Sequence, residues 1–207
     1  MKEAGVKIVE PSMRIKKLGP SFIDKLCEAN IPMVGVSRGR NAVYVFNTNE
    51  INLKKETMGT AGFHEIGHAI NRNSSNFWRS IQNVRNLSGF VGLGLLLTSL
   101  LKRKKADGEK PKGFFDKATT FIKENVGKLL FISSLPILCE EFKATARGNK
   151  LAKQVLSPEL YKKVLKTNKY SSLAYLSGSI IFGLSGYAAV KVKDAIAKPK
   201  EINQNKI

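Results

Sequence analysis

The stretch GTAGFHEIGHAINRNSS, residues 59–75, holds both histidines of the chain, His64 and His68. Their i, i+4 spacing puts both imidazoles on one face of an α-helix, one turn apart, so both can reach a single point. Zinc takes histidine nitrogen at about 2.0–2.1 Å and prefers four ligands. Glu65 follows the first histidine, rotated about 100° around the helix. From there it reaches a water held on the metal more easily than the metal itself. This is the H-E-x-x-H arrangement, two ligands and a general base on one turn. A plain surface pair on a polar face is the bland alternative. Gly59, Gly62 and Gly67 each weaken the helix by up to about 1 kcal/mol against alanine. Gly67, between base and second ligand, leaves room for a close neighbour. The spacing predicts a helix from about residue 56 to residue 72.

A catalytic zinc needs a third protein ligand and an open position. No histidine remains, so that ligand has to be Asp, Glu or Cys. The best candidates lie in CEEFKATARGNKLAK, residues 139–153. Glu140 and Glu141 are adjacent carboxylates beside an apolar run, an expensive place for charge without a partner. A divalent cation would be such a partner. Pairing with Lys143 and Arg147, one turn onward, is the alternative. The residues alone leave Glu140 and Glu141 equally eligible.

Three apolar stretches surround these motifs. Residues 170–190, YSSLAYLSGSIIFGLSGYAAV, carry no charge over 21 positions, close to the ~20 needed to cross a bilayer core. Within them Ala174/Gly178 and Ser179/Gly183 have the small-residue spacing that lets membrane helices approach closely. Residues 86–101, NLSGFVGLGLLLTSLL, number 16, about 24 Å of helix, slightly short for a ~30 Å hydrocarbon layer. Residues 129–139, LLFISSLPILC, become long enough only if the helix runs back toward Phe121, with Lys128 snorkelling. Pro136 should kink or break it. Segments 86–101 and 121–139 therefore read as an apolar helical hairpin. The charged connector KRKKADGEKPKG (102–113) suits water. SPE at 157–159 marks a helix start, with an expected end near Asn168, just before the apolar span.

The remaining signals are weaker. Residues 20–29, PSFIDKLCEA, suit a short amphipathic helix. In IPMVGVSRGRNAVYVFN (31–47), two runs of β-formers, 33–36 and 42–46, flank Arg38-Gly39-Arg40-Asn41, a hairpin signal. Cys27 and Cys139 form no C-x-x-C pair and read as reduced thiols or small buried residues. The N-terminal MKEAGVKIVEPSMRIKK has no apolar core of a secretory signal. The 35 Lys+Arg against 16 Asp+Glu give a formal charge of +19, which points to an anionic partner. Basic residues occur in every loop rather than grouped with aromatics, so a membrane surface is expected and nucleic acid is not. Charge does not decide the topology, since the connector, the stretch 143–169, the N-terminal segment and the tail 191–207 are all basic.

HEIGHAIN, followed by LPILCEEFKATARG with Glu141 73 positions after His68, resembles membrane-bound zinc metallopeptidases of the gluzincin group. The pattern is closest to the bacterial neutral zinc metallopeptidase family, in which HE-[Val/Ile]-GHA precedes apolar helices and an E-F-x-A-S segment. HtpX-like membrane proteases are similar more distantly. The resemblance covers roughly residues 30–150. It implies that Glu141 rather than Glu140 is the third ligand, that Thr145 hydrogen-bonds a ligand from one turn away, and that strand 42–46 binds extended peptide at a sheet edge. The alternative for that strand is an edge that shields the core, with Arg38 and Arg40 as its charged guards.

The expected fold is mainly α: a helical membrane metallopeptidase core over residues 1–190, with a small β-hairpin before the zinc helix and a basic tail at 191–207. The expected function is a zinc-dependent, membrane-associated endopeptidase with one Zn²⁺ on His64, His68 and Glu141 and with Glu65 as base. Its partners would be a peptide or protein substrate and the membrane. Its location would be multi-pass, in the bacterial inner membrane. Tyr161 and Tyr170 are oxyanion candidates by side-chain type alone. The rival expectation is a non-catalytic basic membrane protein that binds anionic lipid or a partner helix, its HEIGH a relic or a structural metal clip.

Overall fold

Helix dominates the computed structural model, which describes residues 5–9, 42–53, 60–106 and 108–197. Three short strands come first: β1 (Lys7–Val9), β2 (Ala42–Val45) and β3 (Glu50–Leu53). The helices follow: α1 (Gly62–Ser74), α2 (Asn76–Leu101), α3 (Gly113–Glu124), α4 (Val126–Ser133), α5 (Leu135–Val155) and α6 (Pro158–Ile196). The class is therefore mainly α, with a small sheet ahead of the histidine helix. The sequence expectations at 20–29, 33–36 and the Arg38–Arg40 turn, with Cys27 and residues 198–207 of the tail, lie outside the described residues. Two compact units divide the chain, Met1–Gln82 with Cys139–Ala174, and Asn83–Leu138 with Tyr175–Ile207.

In the first unit β3 is the central strand, parallel to β1 and antiparallel to β2. The pairing expected for 42–46 with 33–36 lies outside the described residues; among those described, β2 is antiparallel to β3, with Tyr44 opposite Ile51. β3 went unread although Glu50-Ile51-Asn52-Leu53 alternates polar and apolar residues, because four residues are the shortest length at which such a pattern counts as a strand signal. Asn49 closes the turn at φ 55°, a left-handed position that Asn tolerates. Its Oδ1 accepts hydrogen bonds from Tyr44 Oη (2.7 Å) and from Asn73 Nδ2 (3.2 Å) on α1. Ala42, Tyr44, Ile51 and Leu53 form a core with Ala69 of α1, and Ile66 packs against it.

α1 starts at Gly62, after a turn at Thr60 and Ala61, and stops where Ser75 turns extended (φ −164°, ψ 157°). Ser75 then begins α2, accepting from Arg79 N at its carbonyl and from Trp78 N at its hydroxyl. The apolar stretch at 86–101 is thus the end of a longer helix. At 26 residues, α2 is about 39 Å long, which removes the shortfall that the sequence suggested. The helix expected to end near Asn168 also continues, through residue 170 to Ile196. No Pro or Gly interrupts 159–177, and Asn168 turns its amide to Asn149 Oδ1 (2.6 Å) rather than capping.

In the second unit the stretch 121–139 is interrupted twice, once just before Pro136, where a kink or break was expected, and once at Asn125. The breaks at Asn125 and Ser134 give α3, α4 and the start of α5. Ser134 folds back on Phe131 O through both N (3.0 Å) and Oγ (2.6 Å), and Pro136 falls in the first turn of α5, where a missing N–H costs little. Val126 and Leu130 of α4 meet Val190 of α6, with Leu95, Leu96 and Leu100 of α2 against them. Gly127 and Gly183 bring α4 and α6 to close approach: a Cβ on Gly183 would lie 2.7 Å from Gly127 O. Gly178, singled out by spacing, has open space around it.

Two helices, α2 and α6, are long and apolar enough to cross a membrane. Their apolar side chains point largely outward, as at Phe90 (75% exposed) and Leu184 (63%). Water disfavours such surface and lipid accepts it.

Candidate metal centre

The centre is assembled in the first unit where α1 and α5 cross. A Cβ on Gly67 would collide with the backbone carbonyl of Ala144, and one on Gly148 with that of Phe63. Glycine at both points lets the two backbones touch. Side chains one turn from the crossing then meet across it.

His64 Nε2 lies 2.9 Å from Glu141 Oε2 and 2.9 Å from His68 Nε2. The third edge of this triangle, His68 Nε2 to Glu141 Oε2, is 3.4 Å. All three residues are buried. Around a tetrahedral ion with bonds of ~2.0–2.1 Å, neighbouring ligand atoms are about 3.3 Å apart. The triangle has nearly that size, so His64, His68 and Glu141 form a group that could hold a metal ion.

The other ring nitrogens face away from this point, each toward a fixed partner. His68 Nδ1 meets Glu140 Oε1 at 2.7 Å, and His64 Nδ1 meets Thr145 Oγ1 at 3.1 Å. Ser172 Oγ extends the second chain, 3.4 Å from Thr145 Oγ1. Such outer contacts fix tautomer and ring orientation in metal sites. Glu140 is fully buried and its Oε1 also accepts from Asn71 Nδ2 (3.2 Å) and Gln82 Nε2 (2.8 Å). Gln82 Nε2 in addition donates to His68 O at 2.9 Å. The adjacent carboxylates thus occupy different places: Glu141 reaches both Nε2 atoms, whereas Glu140 stands behind His68.

Glu65 accepts a hydrogen bond from the backbone N–H of Tyr44 on β2, at 2.7 Å. Burial pushes its carboxyl above the usual carboxylate range, against the pull of His68 and His64. Burial disfavours the charged form of His68, yet the hydrogen bonds to Glu140 and Glu141 raise it to about 10. Lys143 and Arg147 lie over the Trp78 ring at 5.4 and 5.8 Å. Tyr170 is exposed and no described contact joins it or Tyr161 to the histidines. Cys139 is exposed, which corrects the reading of it as a small buried residue.

Sequence reasoning missed Asn71, Gln82 and Gly148. Asn71 lies three positions after His68, on the same helical face, and Gly148 follows Ala144 at the small-residue spacing, so both left a signal. Gln82 left none. No protein-family model, curated protein or solved structure matches the chain.

Proposed function

We propose that the chain is a zinc-dependent, membrane-associated endopeptidase, as its resemblance to the HE-[Val/Ile]-GHA metallopeptidases implies. One observation carries the reading. Two imidazole Nε2 atoms of α1, the helix that also bears Glu65, converge with the Glu141 carboxylate of α5 at metal-ligand spacing. His64, His68 and Glu141 would hold one Zn²⁺, which when bound supplies a Lewis acid for a peptide carbonyl and makes water easier to deprotonate. Glu65 takes the proton of the attacking water and passes it to the leaving amine. Its burial-raised carboxyl suits a base that must also give the proton up. Tyr44 N–H holds Glu65 to one side of the site. Glu140 and Thr145 keep the two rings turned inward. β2 is an edge strand among the described residues, and an extended peptide could lie along it. The helices α2 and α6 would anchor the enzyme in the bilayer.

The depth of the centre favours a second reading, a structural metal clip in a non-catalytic membrane protein, because structural sites are closed and catalytic ones keep an open position. Glu65→Gln separates the two. As a base in hydrolysis, its loss lowers cleavage of an unstructured polypeptide by about 10²–10⁴ while zinc content and melting temperature stay unchanged. Wild-type protein with full zinc and no hydrolysis would leave only the structural clip.

A further inference from the structure

A second candidate site lies in the other unit and owes nothing to the metal. Two cavities adjoin where α2, α3 and α6 end, sharing Glu124 and Tyr187. The first, about 220 Å³, is basic: six Lys or Arg side chains line it against two carboxylates, Glu124 and Asp194. The second, about 620 Å³, is apolar, floored by Gly127 and Gly183 and walled by Phe131, Ile180 and Leu184.

The basic cavity is built rather than incidental. Asp116 holds Lys102 and Lys105 (2.6 Å to the latter), and Glu109 holds Arg103. Lys123 pairs with Asp194 at 2.7 Å. These ion pairs fix the walls and leave two cations over. Lys104 has no carboxylate partner among the described residues, and Lys191 lies over the Tyr187 ring, 5.4 Å from its centroid. Thr120 Oγ1 on the same wall is buried with no hydrogen-bond partner. A buried hydroxyl without a partner is unfavourable, and an anionic oxygen would satisfy it. The location fits too, since Lys102 follows the last residue of α2 and Lys191 follows the apolar part of α6. With α2 and α6 in a bilayer, both would sit where a polar headgroup meets hydrocarbon, and Tyr187 is of the residue type enriched there.

We propose that these adjoining cavities bind one anionic phospholipid, its phosphate between Lys104, Lys191 and Thr120 and one acyl chain along the Gly127–Gly183 groove. Charge selects the headgroup, and the apolar groove distinguishes a lipid from free phosphate.

The experiment uses the full chain in neutral detergent, titrated with phosphatidylglycerol, phosphatidylcholine or inorganic phosphate. Lipid retained per chain is read by native mass spectrometry, and the melting temperature in parallel. Phosphatidylglycerol should be retained at one per chain, at least tenfold more tightly than phosphatidylcholine, and should raise the melting temperature. Phosphate should raise it little. Lys104→Gln with Lys191→Gln breaks no ion pair on the walls and should lower phosphatidylglycerol retention about tenfold without changing the lipid-free melting temperature. Leu184→Gln, at an exposed position, should weaken lipid and leave any phosphate effect alone. Equal retention of the two lipids, or unaltered retention by the double variant, overturns the proposal. Phosphate acting as strongly as phosphatidylglycerol also overturns it, leaving an anion site without a lipid chain.

Discussion

Gly67 on α1 meets the Ala144 carbonyl of α5, and Gly183 on α6 meets the Gly127 carbonyl of α4. Both units thus use glycine to let two helix backbones touch, but different groups gather around the contact. In the first unit the crossing brings together two imidazoles, two carboxylates and two amides, all buried and mutually hydrogen-bonded. In the second it brings together Val126, Leu130 and Val190, with leucines of α2. A polar cluster of fixed geometry tolerates far less displacement than an apolar one, because each buried group depends on its partners. The same glycine device therefore has different consequences when it is broken.

The largest effect is expected for Gly67→Ala. The added methyl collides with backbone, which cannot give way as a flexible side chain can, so α1 and α5 must separate. A loss of about 3 kcal/mol or more is expected, together with loss of bound zinc, measured by thermal melting and elemental analysis. Unchanged zinc content would mean that the crossing does not set the ligand geometry. Glu140→Ala comes next. It leaves His68 Nδ1, Asn71 and Gln82 without their shared acceptor, and zinc affinity should fall by about 10–100-fold, read by competition with a chelator. Gly183→Ala tests the apolar side of the comparison. It should cost about 1–3 kcal/mol in melting and leave zinc content intact. Thr145→Val removes one hydroxyl beside His64 and should cost about 1 kcal/mol of zinc affinity, again by chelator competition. Gly178→Ala, inside α6 with open space around it, should raise stability by about 0.5–1 kcal/mol, read by melting.

The site was more legible than the frame that holds it. His64, Glu65 and His68 are close in sequence, so helical periodicity alone places them, and Gly67 marked a close neighbour. Glu141 was reached through resemblance, since nothing local separates it from Glu140. The structure separates them by the side of His68 on which each carboxylate stands. The helix ends were the poorest reading. Apolar runs mark where lipid-compatible surface begins, while helices continue as long as no breaker intervenes, so α2 starts before residue 86 and α6 runs through residue 168. Over 121–139 Pro136 marked the second break but nothing in the pattern marked the one at Asn125, which is set by its backbone and side-chain hydrogen bonds to Phe121 O rather than by hydropathy. β3 went unread because its polar–apolar alternation, Glu50-Ile51-Asn52-Leu53, spans only four residues, the lower limit of a strand signal.

The central claim is that one metal ion is held jointly by α1 and α5. X-ray absorption at the zinc edge on purified, zinc-loaded protein tests it most directly. The account predicts one zinc per chain with two imidazole nitrogens and carboxylate oxygen at about 2.0–2.1 Å, and loss of the imidazole signal in His64→Ala with His68→Ala. Zinc that is absent, bound through sulfur, or unaffected by that double substitution would contradict it.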